Sequence, residues 1–189
     1  MPEDSALLVV DVQNDFCPGG ALAVPEGDRV VPVLNAWIDR MSARGSPIFA
    51  SRDWHPAATT HFAPFGGPWP PHCVAGTPGA AFHPGLHLPP HTVIISKGME
   101  SGDHGYSAFE GRTSAGTSLL DDLRTRGIRR LYVGGLATDY CVRASVLDAL
   151  RHGFDVMVIA DAVRGVDVKP GDSERAIDEM KAAGATFVV

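Results

Sequence analysis

Four apolar runs of this chain end on residues that can do chemistry. The first ends in Asp11, the second in Asp53 and the third in Lys97, and the fourth runs into Gly134-Gly135-Leu136-Ala137-Thr138-Asp139-Tyr140-Cys141. A hydrophobic pattern requires no acid, lysine or thiol at these points. Taken together they describe an activated nucleophile: a carboxylate takes the thiol proton, and a cation near both holds the pair in its reactive state. Cys141 is expected in the first turn of a helix, with Thr138 or Asp139 as N-cap. Unpaired amides and the positive end of the helix dipole favour a thiolate there and can hold an oxyanion. Singly, each residue also fits a plainer role: Cys141 a small buried hydrophobe, Asp11 a turn residue, Lys97 a solvated surface group.

A second constellation is Asp53-Trp54-His55, followed by His61 and His72. Alternate side chains of an extended segment share one side, so Asp53 and His55 face together, and histidines of the following loop can close a coordination sphere. One carboxylate with neutral imidazoles suits Zn2+, Fe2+ or Mn2+, with water filling open positions; a structural zinc site would usually use cysteines. By spacing alone, the same histidines also fit exposed loop positions. His83, His87, His91, His104 and His152 are read as surface residues. Phe16, Trp69 and Tyr106 lie in irregular segments beside this chemistry and can bracket a flat ring, although core packing is the usual role of aromatics. Cys17 and Cys73 are assigned to packing.

The elements that must position these groups follow from the pattern. Strands are expected over 6–12, 47–53, 92–97, 130–136, 156–160 and 185–189. These runs are short, rich in Val, Ile and Leu and show little alternation, as strands buried on both faces do. Helices are expected over 28–44, 118–126, 139–152 and 173–183, followed by Gly45, Gly127, Gly153 and Gly184. Strand–helix alternation means an α/β fold with a mostly parallel sheet, in which ligands sit at the carboxyl ends of the strands. Two segments break the rhythm. Residues 54–91 are proline-rich and hold six of the eight histidines, and 98–114 are rich in Gly, Ser and aromatics; long irregular stretches in a compact domain are usually functional.

The 189 residues suit one domain, with 44% hydrophobic and 20% charged residues. A formal net charge of −6 and the lack of a basic cluster argue against nucleic acid or a membrane surface as partner. The acidic start, Met1-Pro2-Glu3-Asp4, is unlike a signal peptide. Three widely spaced cysteines form no disulfide framework, so a cytoplasmic location is expected. The glycine-rich dinucleotide fingerprint is absent: Gly134-Gly135 lacks a third glycine and the following acid.

Several stretches carry a family resemblance: Asp11-Val12-Gln13-Asn14-Asp15-Phe16-Cys17-Pro18-Gly19-Gly20; Ser51-Arg52-Asp53-Trp54-His55-Pro56; Trp69-Pro70-Pro71-His72-Cys73-Val74-Ala75-Gly76-Thr77-Pro78-Gly79-Ala80; Ser96-Lys97-Gly98; Tyr106-Ser107-Ala108-Phe109-Glu110-Gly111; and Gly135-Leu136-Ala137-Thr138-Asp139-Tyr140-Cys141-Val142. In this order they resemble the nicotinamidase (pyrazinamidase) branch of the isochorismatase-like cysteine hydrolases. The resemblance implies a single domain over 1–189, with a six-stranded, mostly parallel sheet between helical layers in a Rossmann-like topology. It implies a catalytic triad of Asp11, Lys97 and Cys141, and a cis bond between Leu136 and Ala137 that aims the amides of Ala137 and Cys141 at an oxyanion. It also implies one divalent metal ion, Zn2+ first, on Asp53, His55 and His72, with His61 a further ligand or water holder. The substrate would be nicotinamide, cut to nicotinic acid and ammonia through a thioester in NAD salvage. The ring nitrogen would lie at or near the metal, and Phe16, Trp69, Tyr106, Leu136 and Ala137 would bind the ring. Tyr140 stands where some members carry histidine.

Rival readings are another amidohydrolase of the same family acting on a different small amide, a non-haem iron oxygenase on the two-histidine, one-carboxylate set, and a redox- or metal-sensing module using Cys141. The metal loop weighs against the first. The second leaves Asp11, Lys97 and Cys141 without a role, and the third predicts oxidation without ammonia release. Both a monomer and a homo-oligomer are compatible with the sequence.

Overall fold

The computed structural model describes residues 4–189; residues 1–3, on which most of the acidic N-terminal reading rests, lie outside the described part. Six strands form one sheet: β1 (Ser5–Val10), β2 (Ile48–Asp53), β3 (Val93–Lys97), β4 (Arg130–Leu136), β5 (Asp155–Arg164) and β6 (Thr186–Val188). Their spatial order is β3-β2-β1-β4-β5-β6, and every pairing is parallel. The four main helices are α1 (Val30–Ser42), α2 (Leu119–Thr125), α3 (Arg143–Arg151) and α4 (Asp172–Ala182). No helix among the described residues is long and apolar enough to cross a membrane.

β1 shows why its run lacks alternation: all six residues are buried. Leu7 and Val9 pack with Leu34, Ile38 and Met41 of α1, whereas Leu8 and Val10 pack with Leu119 and Leu123 of α2 and Val146 of α3. The sheet is therefore the middle of three layers, with apolar side chains needed on both faces. The chain runs outward from β1 to β3 and then crosses to β4 on the other side of β1. That reversal leaves a crevice at the carboxyl ends of β1 and β4, where α/β sheets hold their ligands. Here the two backbones lie close together. Gly135 has φ +134, and a Cβ there would fall 2.0 Å from the Val10 carbonyl oxygen.

Three boundaries depart from the periodic reading. β1 stops at Val10 rather than at 12 because Asp11 takes φ 49, a left-handed conformation that aspartate tolerates better than most residues. β5 extends to Arg164, and its register against β4 shifts between Val133 and Gly135. The expected helix over 139–152 is divided: Thr138–Val142 form a π-helical turn and α3 follows. The residue before that turn is Ala137, with no side-chain cap, so neither Thr138 nor Asp139 serves as N-cap. Such turns often occur at functional sites, and a count of 3.6 residues per turn does not register one widened turn.

Candidate active site

Strand register brings the first charged groups together. Asp53 and Lys97 are the last residues of neighbouring parallel strands and are paired directly. Lys97 Nζ lies 2.5 Å from Asp53 Oδ1 and 2.7 Å from Asp11 Oδ2, and it donates to the Gly105 carbonyl at 2.5 Å. Cys141 Sγ is 3.5 Å from the same nitrogen. Asp11, Lys97 and Cys141 are all buried, and the Ser51 hydroxyl donates to Asp11 Oδ1 at 2.7 Å. The acid, lysine and thiol singled out in the sequence thus share one site. The sequence did not reveal that Lys97 serves both carboxylates, linking the thiol side of the site to the histidine side.

Burial governs the charge states. It pushes Asp11 above the usual carboxylate range, with Lys97 opposing and Asp53 adding to the push. At Asp53 burial acts in the same sense, but Lys97 and His55 outweigh it and the group lies below the ordinary range. Burial also disfavours the ammonium of Lys97, yet the attraction of Asp11 and Asp53 holds it well above its ordinary value. The Cys141 thiol is pushed well up by burial, Lys97 pulling down and the two acids pushing up. Burial therefore favours the protonated thiol at rest. Asp11, whose proton affinity is raised, is the better base of the two acids, and Asp53 stays ionised. Asp11, Asp53 and Cys141 offer donor atoms within 4.8 Å of one another, but the Lys97 ammonium already supplies the cation of that cluster.

On the other side of Asp53, His55, His61 and His72 are buried and bring one ring nitrogen each within 4.8 Å of one another. His55 Nδ1 pairs with the Gly98 carbonyl at 3.0 Å and His72 Nδ1 with the Pro70 carbonyl at 2.7 Å. These carbonyls need Nδ1–H donors, which leaves each Nε2 with a free lone pair. The two Nε2 atoms lie 3.5 and 3.9 Å from Asp53 Oδ2, too far for good hydrogen bonds. Metal bonds of about 2.0–2.2 Å put neighbouring donors about 3–4 Å apart. His55 Nε2 and His61 Nδ1 are buried without a hydrogen-bond partner. Burial, together with the neighbouring histidines, lowers His61 to about 4, and burial also lowers His72. Neutral rings are the form that binds metal, so this donor set fits a divalent ion. Gly98, at φ +63, makes room for the His55 ring: a Cβ there would fall 2.4 Å from it.

A small cavity opens between the two halves, lined by Cys141, Asp53, His61, His72 and Ala137, with Phe16, Trp69 and Tyr106 among its walls. Trp69 Nε1 donates to the Tyr106 hydroxyl at 2.9 Å, and Tyr140 meets Trp69 edge-on, centroids 4.9 Å apart. Leu136 does not line the cavity. It is fully buried and packs in the α1-side core, because it is still a strand residue on a covered face. The bond from Leu136 to Ala137 is cis. His87, His91, His104 and His152 are exposed. His83 is instead half-buried, and its Nδ1 accepts from the Gly85 amide at 3.1 Å. Cys17 and Cys73 are free and buried in the α1-side core.

Sequence reasoning assigned no role to Gln13, which is fully buried. Its Nε2 donates to the carbonyls of Asp53 and Ala80 at 2.8 and 2.9 Å, and its Oε1 accepts from the Asp53 amide at 2.8 Å. In the sequence it stands among Asp11, Asn14 and Asp15, where one more polar residue leaves almost no signal. Replacing Gln13 with leucine strands these partners and is expected to lower unfolding stability by about 3 kcal/mol. Chemical denaturation checks this, and a loss below about 0.5 kcal/mol counts against the bracing role.

Known proteins are similar to this chain over nearly its whole length. The isochorismatase domain profile matches residues 5–188. The nicotinamidase of Escherichia coli is 49% identical, the alignment covering 96% of this chain and 93% of that one. The nicotinamidase/pyrazinamidase of Mycobacterium tuberculosis is 40% identical over 97% of both. The crystal structure of the Pyrococcus horikoshii pyrazinamidase in complex with zinc superposes with a TM-score of 0.91 at 51% identity, covering 99% of each chain.

Proposed function

The chain belongs to the isochorismatase family, and from that premise we propose that it hydrolyses nicotinamide to nicotinic acid and ammonia, with pyrazinamide as a second ring amide. One observation carries the reading: a thiol, an ammonium and a carboxylate meet beside a cavity whose other side presents ring nitrogens and a carboxylate suited to a metal. Close relatives at 40–49% identity bear the names nicotinamidase and pyrazinamidase. The cytoplasmic location expected from the sequence belongs to the same reading.

Asp11 takes the proton of Cys141 as the sulfur attacks the carboxamide carbon. Lys97, 3.5 Å from Sγ, offsets the charge as the thiolate forms, which matters because burial otherwise keeps the thiol protonated. The amides of Ala137 and Cys141 receive the oxyanion. When the C–N bond breaks, Asp11 returns the proton to the leaving nitrogen, ammonia departs and a thioester to Cys141 remains. Asp11 then takes a proton from water, hydroxide attacks the thioester carbon, the C–S bond breaks and the sulfur is reprotonated. Phe16, Trp69 and Tyr106 hold the flat ring. A divalent ion on Asp53, His55, His72 and His61, zinc first and Fe2+ or Mn2+ as substitutes, would supply Lewis-acid attraction for a ring nitrogen.

The test is ammonia release from nicotinamide, with and without a chelator. Metal-loaded protein is expected to turn over, metal-free protein to fall by at least about 10-fold, and added Zn2+, Fe2+ or Mn2+ to restore the rate. No ammonia from metal-loaded protein rejects the substrate, and full turnover after complete metal removal rejects the ion.

A further inference from the structure

Most of the cavity wall comes from the segment after β1 and from the two irregular segments. Among the residues lining it, Val166 alone follows Cys141 in the chain. Val166 lies in the connection between β5 and α4, which has no strand or helix of its own. Its position rests on side chains. The carboxylate of Asp139, 8% exposed, accepts from the Val166 amide at 2.9 Å with one oxygen and from the Asp167 amide at 2.8 Å with the other. Asp167 in turn takes φ 51, and its carboxylate accepts from the Ser173 amide at 2.8 Å and the Ser173 hydroxyl at 2.7 Å. Gly165 packs so closely that a Cβ there would fall 1.8 Å from the Ser173 hydroxyl.

Asp139 therefore does not cap the nucleophile turn. It sits two residues before Cys141, and both of its oxygens accept from the backbone that carries Val166. The geometry points to Val166 as a specificity-determining residue for the ring and to Asp139 as the positioning residue that holds it against the cavity. This rests on the ring-amide reading given above. Val166 is aliphatic and sets how much ring substitution the cavity accepts, whereas Asp139 makes no contact with Asp11 or Lys97 through its carboxylate. Loss of one of its two acceptors loosens the wall and leaves the proton-transfer groups where they are.

Asp139→Asn supplies an amide nitrogen where one amide hydrogen needs an acceptor, so one of the two bonds is lost. The experiment combines kinetics on nicotinamide and a panel of ring-methylated nicotinamides with amide hydrogen exchange at Val166 and Asp167. Asp139→Asn is expected to raise KM for nicotinamide roughly 10-fold with kcat within about twofold. The preference for nicotinamide over its methylated forms narrows, and exchange at the two amides accelerates. Val166→Ala narrows the same preference, and the double variant shows no further narrowing. The proposal is overturned by slowed kcat on every amide with selectivity unchanged, by an unchanged preference in Val166→Ala, or by unaltered exchange at the two amides. If Asp139→Asn does not fold, the selectivity of Val166→Ala decides. A wild-type protein that releases no ammonia from nicotinamide defeats the functional reading instead; amide exchange needs no substrate and still decides the clamp.

Discussion

Replacing Cys141 with alanine is expected to lower ammonia release from nicotinamide by at least about 10³-fold, with the fold and the metal content unchanged. Among the described residues, the sulfur is the only thiol beside the cavity that can form the thioester, and Cys17 and Cys73 are buried in the α1-side core. Burial raises both of those thiols, Cys17 to about 11 and Cys73 well above its ordinary value. The histidine cluster does not depend on Sγ, since its donors are Asp53, His55, His61 and His72. Metal content by elemental analysis beside the ammonia assay separates the two halves of the site. Turnover within about tenfold of wild type in Cys141→Ala would remove the nucleophile from the mechanism.

Replacing Lys97 with methionine carries the second large effect, and it reaches stability as well as rate. The ammonium is fully buried between two carboxylates that are themselves almost fully buried, Asp11 at 0% and Asp53 at 3%. Methionine keeps much of the volume and removes the charge. Breaking such a pair leaves uncompensated buried charge and costs about 3–5 kcal/mol. The cost depends on pH with a definite sign. Asp11 is already raised by burial, and Lys97 is the chief influence opposing that rise. Without the cation the folded protein binds a proton at Asp11 more tightly than the unfolded chain does. Its deficit is then smallest near pH 4 and grows as pH rises through the folded value. Denaturant unfolding of metal-free Lys97→Met at pH 8 and pH 4 checks this, and wild-type stability at pH 8 contradicts it. Turnover is expected to fall more than about 10²-fold, since neither the thiolate nor the orientation of Asp11 keeps its support.

How much of the site the sequence disclosed depends on what kind of signal each residue leaves. Strands covered on both faces must be apolar throughout, so Asp11, Asp53, Lys97 and Cys141 stand out as polar or reactive interruptions at the strand ends. A parallel sheet delivers those ends to one rim, which made one shared site a fair expectation. The histidines of the proline-rich segment left a weaker signal, because spacing within a loop does not say which rings converge. Gln13 left almost none: a buried amide is justified only by carbonyls and an amide that belong to other segments.

Element order, the two-sided apolar faces and the identity of the groups at the strand tips are legible in the chain, because burial acts on each residue where it stands and writes itself into local pattern. Tertiary structure alone decided which of those groups meet. Lys97 serves two acids because β2 and β3 are neighbours in a register that pairs Asp53 with Lys97. Asp139 leaves its expected cap for the amides of Val166 and Asp167, 27 and 28 residues away in sequence. Leu136 turns into the core although it adjoins Ala137, which lines the cavity. Each of these depends on strand order, register and loop path, which are properties of pairs of segments, and no periodicity within a single segment encodes them.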